Sequence, residues 1–88
     1  MTRLELNDEL TIVTAADTVQ RLRPYLAGGA ELELDLSGVT DIDTAGLQLL
    51  LVARREAERL GTSVTLADPS DVVRNLLEFT RLTGELEN

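Results

Sequence analysis

Hydrophobic and polar residues follow two rhythms along this 88-residue chain, one of period two and one of period three to four. Arg3-Leu4-Glu5-Leu6 alternates and predicts a short strand. Asn7-Asp8-Glu9 reads as a turn, and Leu10 to Val13 as a second short strand. Thr14-Ala15-Ala16-Asp17 has the Thr-x-x-acid form of a capping box. The helix it opens sets Ala15, Val19, Leu22 and Leu26 on one face. Pro24 lacks an amide donor and crowds the preceding turn, which predicts a kink or an early end. Gly28-Gly29 closes the segment.

Glu31-Leu32-Glu33-Leu34-Asp35-Leu36 alternates over six residues and predicts a strand with one apolar and one charged face. Ser37-Gly38 turns the chain, Val39 and Ile42 return it to the core, and Ile42 fits a very short strand. Thr44 to Leu60 is the strongest helical pattern, with Leu47, Leu50, Leu51, Ala57 and Leu60 in register. Leu49, Val52 and Ala53 widen that stripe, and Asp43 or Thr44 supplies the N-cap. Arg54, Arg55 and Arg59 suit the negative end of the helix dipole, and Gly61 stops the helix. Ser63-Val64-Thr65-Leu66 predicts a further strand. Asp68-Pro69-Ser70 then introduces a last helix, capped by Ser70, burying Val72, Val73, Leu76, Leu77 and Leu82. Gly84 to Asn88 carries no clear pattern.

Strands alternating with helices predict an α/β fold in a single domain, 1–88, whose crossovers are right-handed and whose strands pair mostly in parallel. The expected sheet is small and mixed, with four to five strands and three to four helices on one face. Covering both faces would bury Glu31, Glu33 and Asp35 without partners.

Composition narrows the chemistry. Sixteen acidic residues face eight basic ones, all arginine, for a net charge of −8. That balance repels nucleic-acid phosphates and anionic membranes. It suits a protein partner with a basic docking face, met faster at low salt. Hydrophobic residues make up 43%, eighteen of them leucine, whereas aromatics are 2%, so the core must be aliphatic. Cysteine and histidine are absent, which removes the thiolate nucleophile, disulfides, and the commonest general base and metal ligand. No phosphate-binding glycine loop occurs. We therefore expect no enzyme, cofactor or metal. Asp35, Asp41 and Asp43 read more simply as a solvated acidic patch than as a magnesium site. With no bilayer-spanning run and no apolar stretch of signal-peptide type, a cytoplasmic setting is expected.

The segment Leu34-Asp35-Leu36-Ser37-Gly38-Val39-Thr40-Asp41-Ile42-Asp43-Thr44-Ala45-Gly46-Leu47 resembles the signature of STAS domains, the fold of bacterial anti-sigma factor antagonists and of sulfate-transporter tails. In that signature a strand ending in Asp-Leu-Ser leads to an apolar-Asp-Ser/Thr-small-Gly-Leu turn that opens a helix. The likeness spans nearly the whole chain. It implies a signalling module, with links to transcription regulation, that binds a kinase-type ATPase at the loop and helix start. In such proteins a serine there is phosphorylated, which weakens a complex whose formation frees a sigma factor. The acceptor usually precedes the glycine, where this chain has Ala45. The resemblance thus implies partner binding through Asp41, Asp43, Thr44, Ala45, Gly46 and Gln48 without the usual phosphoswitch.

The residues of that turn keep more than one reading. A helix start presents unpaired amides and positive potential, so a phosphate there is tolerated by the helix but conflicts with Asp41 and Asp43. Thr44 is a helix cap or a phosphorylation site, and Asp43 a cap, a recognition group for a partner arginine, or both. Gly46 costs about 1 kcal/mol in a helix relative to alanine. Either a close partner backbone or tight packing on a neighbouring strand accounts for it. The form Asp-Thr-small-Gly-Leu also resembles STAS subunits that bind the ATPase of a bacterial phospholipid-transport complex. Extended by Gln48, it resembles those of chemotaxis and other histidine-kinase systems.

Overall fold

The computed structural model of the chain describes residues 1–80, so Leu82 and the Gly84 to Asn88 segment lie outside the described residues. The element order is β1 (Thr2–Glu5), β2 (Asp8–Leu10), α1 (Ala15–Ala27), β3 (Leu32–Asp35), β4 (Val39–Ile42), α2 (Thr44–Arg59), β5 (Val64–Ala67) and α3 (Asp71–Thr80). Among the described residues, five strands and three helices give the expected α/β fold. All strand pairings are parallel, in two sheets of order β1-β3-β5 and β2-β4. The second sheet continues the first. The Leu6 amide donates to Asp35 and the Asp8 amide to Gly38 where both chain pairs bend between sheets.

Register explains the alternation of β3. Leu4, Leu34 and Leu66 lie abreast on one face, and Arg3, Glu33 and Thr65 on the other. Leu32, Leu34 and Leu36 are completely buried, and each such side chain stabilises the fold by about 1.5–3 kcal/mol. On the opposite face Glu33 stays partly exposed and Asp35 is buried, and Arg3 forms ion pairs with Glu33, with Asp35 at 3.1 Å and with Asp68 at 3.0 Å. The core is aliphatic, built from leucine, valine and alanine, with Tyr25 packed at its margin and Phe79 outside it.

Both long helices end in a Schellman arrangement with glycine in the left-handed region. Gly29 donates to Leu26 and Ala30 to Tyr25, while Gly61 donates to Glu58 and Thr62 to Ala57. Their φ values of 73° and 80° explain why glycine occupies both places.

Several expectations need correction. Pro24 does not end α1 early, since the helix continues to Ala27. Pro24 and Gln20, whose carbonyl loses its amide partner, are both exposed. The second strand starts earlier and is shorter than expected. Asp8 takes a left-handed conformation at a register shift inside β2, and pairing stops at Leu10. Asp tolerates that conformation better than most residues, so the turn signal became the first residue of a strand. Ser70 precedes α3 and its carbonyl accepts from Arg74, but among the described residues its hydroxyl has no partner and does not cap the helix. Val72 is partly exposed, and the buried side of α3 rests on Val73 and Leu77.

Candidate functional site

The turn from β4 into α2 is organised by one carboxylate. Asp43 has the extended backbone of an N-cap, with φ −120° and ψ −178°. Its Oδ1 accepts the Gly46 amide at 2.9 Å, which caps α2. Its Oδ2 accepts the Ile12 amide at 3.1 Å, which ties the β2–α1 loop to the same point. Charge-assisted bonds to the Gly46 amide first and the Ile12 amide second hold this carboxyl below its ordinary pKa. Partial burial opposes them with a smaller effect. Asp43, not Thr44, is therefore the cap. Its acceptor capacity is directed at the protein's own backbone.

Gly46 is buried, and its place in the sequence has a steric cause. A Cβ there would lie 2.0 Å from the Leu10 carbonyl oxygen and 2.8 Å from its carbon. Backbone cannot yield as a flexible side chain does. Of the two readings of this glycine, tight packing on the neighbouring strand is the one the geometry requires.

The remaining residues of the turn divide by exposure. Asp41, Thr44 and Gln48 are exposed, Ala45 is half-buried, and Leu47 is in the core. The Thr44 side chain makes no hydrogen bond among the described residues. Asp35 does not join this group. It lies on the outer sheet face, where the Ser37 amide at 2.9 Å, assisted by Arg3, holds its carboxyl below the ordinary range. Among the described residues no three carboxylates assemble into a metal-holding cluster.

The β2–α1 loop supplies what sequence reasoning missed. Ile12 and Val13, expected in a strand, are 73% and 79% exposed. They sit at the tip of a turn fixed by threonine hydroxyls. The Thr11 amide donates to Thr14 Oγ1 at 3.0 Å, and the Val13 amide to Thr11 Oγ1 at 3.2 Å. Thr14 Oγ1 also donates to the Glu9 carbonyl at 3.0 Å, so the predicted capping box does not form. The signal was present in Thr11-Ile12-Val13-Thr14. Two threonines bracketing an apolar pair satisfy local amides as readily as they extend a strand.

Fold and corner together define a small parallel α/β fold that presents a capped helix start and a hydrogen-bonded, exposed apolar turn on one side. A family model described as Mlab, STAS domain matches residues 1–87, and the chain belongs to this STAS family. Among solved structures it is similar to a candidate anti-sigma factor antagonist from Thermotoga maritima. That likeness has 24% identity and a TM-score of 0.82, covering 97% of this chain and 74% of that one. It is also similar to the anti-sigma factor antagonist SpoIIAA in its unphosphorylated form. There the identity is 22% and the TM-score 0.68, covering 88% of this chain and 72% of that one. At such identities the likeness establishes the fold. Among curated protein sequences none matches. No helix of the described residues is long and apolar enough to cross a membrane.

Proposed function

We propose that this STAS domain is a non-enzymatic cytoplasmic module that binds a kinase-type signalling ATPase through the exposed start of α2. The observation that supports this is the division of labour at the corner. Asp43 and Gly46 are committed to holding backbone together, which leaves Thr44, Ala45, Gln48 and Asp41 as a fixed outward edge beside Ile12 and Val13. A preorganised edge loses little freedom on binding. Its acidic surroundings favour a basic docking face. Ala45 stands where the resemblance places the acceptor serine, so binding here does not depend on a serine phosphate.

Affinity capture from the native cytoplasm tests the reading, with wild type, Thr44→Arg and Thr65→Arg compared. Thr65 is exposed on the outer sheet face and serves as the control. The expected result is a signalling ATPase recovered by wild type and Thr65→Arg but not by Thr44→Arg. Incubating the recovered partner with ATP should leave the mass of the 43–48 segment unchanged, and phosphate on Thr44 would restore a switch. A second reading, a STAS subunit docking on a transporter ATPase, draws support from the Asp43-Thr44-Ala45-Gly46-Leu47 sequence and from the Mlab description of the family. Recovery of a transporter ATPase at the same edge would select it.

A further inference from the structure

Helices α1 and α2 lie against each other, with their starts joined through Asp43 and Ile12. Their pairing leaves an open apolar groove of about 560 Å³, in which Val19, Leu22 and Leu26 face Leu49, Val52 and Leu60. Val52 is 56% and Leu60 42% exposed, although the helical pattern marks both for burial. Arg23 and Arg59 stand at the rim, Arg59 paired with Glu56. Two arginines and one acidic residue, Glu56, line the groove in a chain whose net charge is −8, so the groove occupies a locally positive region.

The start of the same helix pair has the opposite character. The Ile12–Val13 tip projects there, and exposed Asp8, Glu9 and Asp41 belong to the β2 and β4 strands that carry it. Hydrogen bonds to Thr11, Thr14 and Asp43 fix the tip before any encounter, which limits the ordering that binding requires. An apolar tip among carboxylates and an apolar groove whose rim carries Arg23 beside the Arg59–Glu56 pair complement each other in polarity and in net charge.

We propose that the α1–α2 groove is the docking site for the Ile12–Val13 turn of a second copy of this chain. Tip and groove are different surfaces, so the contact is head-to-tail and each added copy presents a new groove or tip. The contact is small and partly electrostatic, hence weak and sensitive to salt. The tip adjoins Thr44, so a seated copy and an ATPase partner compete for one corner. The inference goes beyond the partner reading and stands or falls without it.

Sedimentation equilibrium of the full chain, from micromolar to millimolar concentration at low and high salt, tests it. The mean mass should climb past two chains with rising concentration and climb less at high salt. Ile12→Ser combined with Val13→Ser, and separately Val52→Asp, should each weaken association at least about tenfold. Circular dichroism melts verify that both remain folded, and Leu60→Asp replaces Val52→Asp if that variant does not. A mixture of the tip and groove variants holds one intact tip and one intact groove per pair, so it should form pairs that stop at two. A wild type that stays single to millimolar concentration overturns the proposal. So does association that survives either substitution, or mixed variants that fail to pair.

Discussion

The starts of α1 and α2 look interchangeable as sequences and behave as opposites. Thr14-Ala15-Ala16-Asp17 and Asp43-Thr44-Ala45-Gly46 each offer a capping residue and small residues in the first turn. Thr14 has the helical backbone values φ −102° and ψ −1°, and its hydroxyl turns back to the loop that precedes it. Asp43 is extended and bonds forward into its own helix and sideways to Ile12. The third helical residue differs as sharply, because Asp17 of α1 is exposed while Gly46 of α2 is pressed on the Leu10 carbonyl. A single-carbon hydroxyl rotor satisfies what lies nearest. A carboxylate with two separated oxygens can join two elements. The start of α2 is thus a structural junction, and the start of α1 an ordinary helix end attached to it.

Gly46→Ala should break this contrast most severely. The new methyl meets backbone at 2.0 Å, so β2 or α2 must move, and the expected loss is about 3 kcal/mol or complete unfolding, read from urea denaturation. Asp43→Ala comes next, with a lower melting temperature than wild type. Hydrogen exchange should quicken at both the Ile12 and Gly46 amides, and quickening at one alone would deny the junction. Acid should act through the same group. Its folded pKa lies below the ordinary 3.8, so its stabilisation is complete above that value and is lost as pH falls through the folded pKa. Asp43→Asn should therefore flatten the acid limb of a stability–pH curve. Thr14→Ala should lower stability by about 0.5–1.5 kcal/mol, freeing the Thr11 amide without loosening the α1 start. Asp17→Ala should change stability by no more than about 0.5 kcal/mol.

Much of this arrangement is legible in the sequence, and the exceptions have a common cause. The alternation of Leu32, Leu34 and Leu36, the stripe through Leu47, Leu50, Leu51 and Ala57, and the glycines after α1 and α2 each report a local period or a backbone conformation. Ile12 and Val13 suggest a strand because β-branched residues favour strands, a tendency that two flanking hydroxyls and a distant carboxylate outweigh. Val52 and Leu60 lie on the predicted stripe but line the groove between two helices, which no single-helix pattern records.

The order of elements and the aliphatic core are legible in the chain alone, because they follow from periodicity, composition and short-range backbone preference, while the STAS likeness rests on the motif around Asp43-Thr44-Ala45-Gly46-Leu47. Tertiary structure alone decided that Asp43 bridges Ile12 and Gly46, that Gly46 answers to Leu10, and that an apolar turn stands exposed beside Thr44. The Asp43–Gly46 bond is local, but Asp43 meets Ile12 across 31 positions, and Gly46 and Leu10 are as distant in the chain. Their distances are set by how β2, β4 and α2 dock, and no local period encodes them.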